Sequence, residues 1–418
     1  MSEIEPVLAS VVAIFAIALL VKLLADWRPE LSYASVLVAV GVLVSVLGLE
    51  FDLTLSADLI LAVLLPTIVF EGTTSIDVRE LRHNALLVVV LTLVGLPLAV
   101  IILGVVGTVA FGFPLIVALV FASVILPTDP AAVLSVFKQF DVGKRLSVTI
   151  EGESLLNDGV AIVIFATLVA AFRQADSASD AVASLTTSGQ VVSFVLSIAS
   201  VGGGGLLVGV VVGYLAHLWA RRLRDRLAVM LLSVVVAYGS FLLAEWGLGL
   251  SGVLATVGAG LAMGAHELTH EHMSAPESFV QRVWNVAAFL VSTVLYVLIG
   301  AAVDVGQFVE YGGFVLLAAV LVVLVRALTI YPLVTLTNQV LPDPLPVACQ
   351  HIVVWGGLHT VVPVGLALAL PTALPYREVV QTMVFGVAIV SVVAQGLLMP
   401  TVLRLTGHGD GQFGNAAE

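Results

Sequence analysis

The chain is 418 residues long, 60% hydrophobic and 11% charged, with a formal net charge of −12. That composition excludes an ordinary soluble domain, whose helices need charged faces, because stretches such as 85–110 and 314–325 carry no charge at all. The absence of a basic stripe excludes a nucleic-acid partner, and the single cysteine, Cys349, excludes an internal disulfide and a cysteine-based metal site.

The start, Met1-Ser2-Glu3-Ile4-Glu5-Pro6, is acidic and lacks the basic region of a signal peptide, so the first apolar stretch reads as a retained span. Apolar stretches of about 20 residues, bounded by charges, Pro or Gly, predict an all-α polytopic membrane protein. Thirteen spans are expected, at 7–25, 32–49, 55–71, 84–111, 114–139, 147–172, 189–220, 226–246, 248–266, 280–303, 312–340, 347–370 and 377–404. The polar insert 173–190 and the tail 407–418, read as disordered and cytoplasmic, flank the spans without forming a soluble domain.

Basic residues fix the expected orientation. Lys22, Arg28, Arg79, Arg82, Lys138, Lys144, Arg145, Arg221, Arg222, Arg224, Arg226, Arg282 and Arg404 follow odd-numbered spans, 13 of the 16 in all. By the positive-inside rule the N-terminus lies outside and the C-terminus in the cytoplasm, as in a multi-pass cell-membrane protein.

The fifth span is interrupted by Pro127 and Pro130, and the twelfth, seven further on, by Gly356, Gly357 and Pro363. Two broken helices at corresponding positions suggest inverted six-helix repeats with a site between them. Between its prolines the fifth span carries Thr128 and Asp129, whose carbonyl, hydroxyl and carboxylate oxygens suit a hard cation. A capping role at a helix break is the alternative. In the sixth span Ser154 and Asp158 share a face, with Glu151 one turn back, while Glu153 and Asn157 line the adjoining face. Acids at such depth are costly, which makes them candidates for function. Arg326 is the one basic residue placed inside a span, so a buried Glu153–Arg326 pair is expected. Glu71, at the end of the third span, could reach the cavity or sit at the membrane surface.

Phe70-Glu71-Gly72, Thr128-Asp129-Pro130, Glu151 to Asp158, Arg326 with Tyr331-Pro332, and Trp355-Gly356-Gly357-Leu358 together resemble the monovalent cation:proton antiporters. The similarity is to the NhaP-type branch that includes the mammalian sodium/proton exchangers, and it spreads over most of the chain. It implies crossed, unwound segments in spans 5 and 12, and a homodimer. The expected core is about 55–172 with part of 280–404, and the expected dimerisation scaffold about 7–49 and 189–266. It further implies that Asp158, Asp129, Ser154, Glu71 and the Thr128 main chain hold Na⁺, with Asn157 organising the site. The Glu153–Arg326 pair falls on the family's structural ion pair. Asn157 before Asp158 resembles the electroneutral, one-for-one branch, and no cofactor beyond the transported ions is implied.

One position departs from the resemblance: His359 stands where relatives usually carry Arg, and is either a modulator of the pH response or a neutral ring bonded to unwound backbone. His266, His270 and His272, flanked by Glu267 and Glu271, read as a solvated loop rather than a metal site.

The expected activity is Na⁺ (or Li⁺) exchange for H⁺ by competition for Asp158 with alternating access. A K⁺/H⁺ antiporter of the same fold is the alternative. An intramembrane aspartyl hydrolase using Asp129 and Asp158 would leave Ser154, Asn157 and the ion pair without a role, and a channel finds no repeated filter loop in the sequence.

Overall fold

The computed structural model describes residues 4–27, 32–49, 51–53, 55–140, 142–175, 195–264 and 279–408. In chain order its helices are α1 (Ile4–Trp27), α2 (Tyr33–Val46), α3 (Leu59–Ser75), α4 (Val78–His83), α5 (Ala85–Phe111) and α6 (Leu115–Ile125). They continue with α7 (Ala131–Phe140), α8 (Lys144–Gln174), α9 (Val195–Ala220), α10 (Arg226–Leu248) and α11 (Gly252–Gly264). The last are α12 (Phe279–Ala301), α13 (Val305–Thr337), α14 (Val347–Trp355), α15 (Val361–Leu368) and α16 (Arg377–Leu405).

Every expected span has a helical counterpart, once α6 with α7 and α14 with α15 are each counted as one broken crossing. Eight of the described helices are long and apolar enough to cross a bilayer unbroken. Boundaries move by a few residues. The division expected at Trp246–Gly247 falls at Gly249, which takes the left-handed conformation (φ +66°), while Glu245 Oε2 accepts from the Gly252 amide (2.8 Å) to start α11. The eleventh crossing begins earlier than 312, because Asp304 caps the amide of Gln307 (3.1 Å). Gly407 and His408, counted in the tail expected to be disordered, instead close α16 through bonds to the Arg404 and Leu403 carbonyls (3.2 and 2.8 Å). Residues 409–418, most of the 173–190 insert and the His266, His270 and His272 cluster lie outside the described residues.

The helices sort by packing into two groups. In the first, α9 runs along α11, α11 lies against α3 and α10, and α12 runs along α2. Here small residues bring backbones together: a methyl group at Gly41 would collide with the Val297 carbonyl oxygen of α12, and one at Gly300 with the Val38 carbonyl of α2. In the second group α5 packs on α6, α6 on α8, α13 on α16 and α16 on α15. Fully buried Ile116, Phe121, Ile125 and Val364 fill its centre.

The breaks sit in this second group. Pro127 and Pro130 each lack an amide proton, so α6 cannot run into α7; Gly356 to Thr360 play the same part between α14 and α15. The two unwound segments meet antiparallel, with the Asp129 amide donating to the Leu358 carbonyl (2.6 Å).

Candidate ion-binding site

Backbone groups released at the breaks must find partners, since a bilayer offers none. The Pro127 carbonyl faces His359 Nδ1 (2.9 Å), and the Thr128 carbonyl accepts from the Ser154 hydroxyl of α8. A carbonyl is an acceptor only, so this contact places the His359 proton on Nδ1. The His359 amide in turn donates to Ser391 Oγ (3.2 Å), and the Ser391 hydroxyl to Gln395 Oε1 (2.5 Å). His359 is a buried ring bonded to the unwound backbone of the first break.

Asp129 and Asp158 line one cavity of about 70 Å³ together with Glu71, Glu151 and Ser154, closed by Leu65, Val69, Leu155, Val361 and Val362. Asp158 is 7% exposed, and its Oδ1 has no hydrogen-bond partner among the described residues. Asp129 Oδ2 accepts from the Thr360 hydroxyl (2.5 Å) and the Tyr296 hydroxyl (3.2 Å). Glu71 lines this cavity, and Asn285 lies 2.9 Å from its Oε1 in the amide orientation that satisfies both groups. From Asp158 the cavity runs toward the face carrying Arg79, Arg82, Lys144 and Arg145, since Glu71 lies one turn from the end of α3 and Glu151 two turns into α8. On the opposite face a cleft of about 760 Å³ opens between Ser45, Asp304, Gln307 and Arg377 to Thr382. Its lining includes none of these four acids.

On the neighbouring face of α8, Arg326 donates to both Glu153 oxygens (3.1 and 3.0 Å) and to the Val353 carbonyl (3.2 Å). Gly357 makes room for it, because any Cβ there would strike the guanidinium. Asn157 donates to Glu153 Oε1 (3.5 Å) and Thr128 Oγ1 (3.4 Å), bridging the ion pair to the first break. The pair thus fastens α8, α13 and α14 together behind the cavity.

Of the residues singled out in the sequence, Asp158, Asp129, Ser154 and Glu71 come to one cavity, Thr128 lies against Ser154, and Asn157, Glu153 and Arg326 stand behind. Sequence reasoning left Glu151 out of the ligand set, although its seven-residue spacing from Asp158 puts both on one helical face. It missed Tyr296 and Thr360 altogether, since a lone hydroxyl in an apolar run carries no signal of a distant partner. No group of three or more His, Cys, Asp or Glu converges as a metal centre among the described residues.

Two broken helices crossing beside buried acids, inside a bundle of membrane-length helices, define a secondary transporter. The chain belongs to the sodium/hydrogen exchanger family: the family described as "Sodium/hydrogen exchanger, transmembrane" matches residues 11–405. It is 32% identical over 382 residues to the Na(+)/H(+) antiporter ApNhaP of Aphanothece halophytica, covering 90% of this chain and 70% of that one. It is also 32% identical over 402 residues to the Na(+)/H(+) antiporter NhaS2 of Synechocystis, covering 96% and 71%. The fold is similar to that of the sodium proton antiporter MjNhaP1 from Methanocaldococcus jannaschii at pH 8, with a TM-score of 0.72 and 17% identity over 96% of this chain and 100% of that one. The chain is therefore a sodium/proton antiporter, a transporter and not an enzyme.

Proposed function

We propose that this antiporter exchanges one Na⁺ for one H⁺ by letting the two compete for Asp158. The observation that carries the reading is the unpartnered Asp158 Oδ1, buried in a small cavity with Asp129, Glu71 and Ser154. An empty, charged carboxylate at that depth is expensive. A cation or a proton neutralises it equally well, and each must leave for the other to enter. Asp129, the Ser154 hydroxyl, the Thr128 carbonyl and Glu71 complete the cation's shell, and Asn157 holds the first break in place. A 1:1 exchange moves no net charge. Li⁺ fits the same oxygen set. Potassium exchange on this fold is the alternative, to be separated by swapping ions in the same assay.

The packing supports alternating access. In this reading α5–α8 and α13–α16 form a core that carries the Asp158 site, and α1–α3 with α9–α12 form the scaffold and the homodimer surface. The core shifts against the scaffold only when Asp158 is filled. Segregation of Lys and Arg supports a cell-membrane protein with its N-terminus outside and its C-terminus cytoplasmic. The transported ions are the only small-molecule partners required, and no cofactor enters.

Asp158→Asn provides the test. The variant should remain folded in detergent yet lose sodium-driven pH changes in proteoliposomes; retained sodium-dependent proton flux would defeat the proposal.

A further inference from the structure

We propose that the Tyr296 hydroxyl is a latch between the two groups of helices, a scaffold group holding the core's Asp129 in the arrangement seen here. The inference rests on the exchange reading above and names the contact that must break when the core moves. Tyr296 is a positioning residue for Asp129.

Three contacts fasten α12 to the scaffold. Tyr33 of α2 bonds Thr293 (3.1 Å), Trp284 Nε1 donates to Ser233 of α10 (2.9 Å), and Gly41 and Gly300 bring α2 and α12 into backbone contact. Asp129 is fastened to the core instead. Its amide donates to the Leu358 carbonyl, and the hydroxyl of Thr360, the residue that precedes the core helix α15, donates to its Oδ2. The bond from Tyr296 to that same oxygen crosses the boundary between them. Tyr296 is 4% exposed, so its hydroxyl has no solvent to turn to.

Hydrogen bonds fail beyond about 3.5 Å, so a core displacement of even half a helical turn, about 3 Å, separates Tyr296 from Asp129. Thr360 travels with the carboxylate; Tyr296 stays behind. An anionic Asp129 is the stronger acceptor, because a hydrogen bond to a charged group outweighs a neutral one. The latch consequently grips hardest when the site is empty and charged. A cation drawing on Asp129, or a proton on Asp158 that relieves the negative charge beside it in the same cavity, weakens the grip and frees the core. This opposes movement of an empty carrier, the step that would uncouple the two ion fluxes.

The test measures which face is open. In a Cys349→Ser background, Ile68→Cys reports on the Asp158 cavity and Gln381→Cys on the cleft of the opposite face. Proteoliposomes are labelled with a membrane-impermeant maleimide, and the ratio of the two labelling rates is read without added sodium. Tyr296→Phe keeps the ring and removes the hydroxyl. It should shift the ratio away from Ile68→Cys on the order of tenfold, the loss of one hydrogen bond to a charged acceptor. Thr360→Ala removes the other donor to Asp129 from within the core and should leave the ratio unchanged, which a general loosening of the site would not. Asp129→Asn weakens the same contact from the other side, by removing the charge on the acceptor, and should shift the ratio in the same direction. It therefore decides the matter if Tyr296→Phe does not fold. An unshifted ratio in whichever variant folds, or an equal shift in Thr360→Ala, overturns the latch. Absence of sodium/proton exchange in the Cys349→Ser parent would count against the antiport reading instead, and the two failures are told apart.

Discussion

Glu153 and Arg326 allow a quantitative test of what holds the core together. Both are buried, at 5% and 7% exposure, and joined by two parallel bonds at 3.1 and 3.0 Å. Glu153→Gln keeps the shape of the side chain but leaves the guanidinium charged and uncompensated. Arg326→Met removes the cation, strands the carboxylate and deprives the Val353 carbonyl of a donor. Removing one partner of a buried pair costs about 3–5 kcal/mol, a change on the order of 10²–10⁴-fold in the folding equilibrium. If the two losses were independent, the double variant would lose about 6–10 kcal/mol. No charge is left stranded in Glu153→Gln/Arg326→Met, so it should cost no more than either single change, a coupling of several kcal/mol between groups in contact. Unfolding in a denaturant series, with the protein held in detergent micelles, supplies the four free energies. A double variant as unstable as the sum of the singles, or a single change costing under about 1 kcal/mol, would refute the assignment of the pair as a mutually dependent clamp.

Two further outcomes are expected. His359→Ala leaves the Pro127 carbonyl without its ring donor and should destabilise the fold by about 1–3 kcal/mol, read in the same unfolding series. On the basic face, Asp77 caps α4 by accepting from the Arg79 and Glu80 amides (2.8 and 3.0 Å) and pairs with Lys144. The Lys144 ammonium first, then those amides, hold the Asp77 carboxyl below its ordinary 3.8. A depressed folded value means that the stabilisation is complete above the unfolded value and lost as pH falls through the folded one. Amide exchange across residues 78–84 should accordingly stay slow down to about pH 4 and quicken below it. Asp77→Ala should quicken it at every pH by the loss of a cap, about 0.5–2 kcal/mol.

The parts of this protein that were legible in its sequence are those where a polar residue breaks an apolar pattern. Asp129 between two prolines, the acids of α8 and the single arginine of α13 stand out because hydrocarbon makes them costly, and each lies at the crossing or against it. Helix ends set by a cap were less legible. Asp304 starts α13 before the apolar run begins, and Gly249 defers the division between α10 and α11 beyond the tryptophan that suggested it. Least legible was which helices pack together. Glu71 falls within 55–172 and Tyr296 within 280–404, of which only part was expected in the core; α3 packs on α11 and α12 on α2. That grouping depends on glycine contacts such as Gly41 with Val297, which leave no trace in hydropathy.

The packing has a consequence for how one site can accept two kinds of occupant. At the crossing, α6 and α14 present their C-terminal ends, which favour cations, while α7 and α15 present N-terminal ends, which favour carboxylates. In the proposed exchange the second pair would help Asp129 and Asp158 bear their charge while empty, and the first would help the Thr128 carbonyl and its neighbours hold a cation. Glu71, approaching from the other group of helices, lies close to the acids only while the cavity keeps its present shape. In the proposed movement its contribution, like that of Tyr296, would be withdrawn as the two groups slide apart. The cation would therefore meet a richer oxygen set in this arrangement than in the opposite one, and exchange at the two faces need not be equally tight.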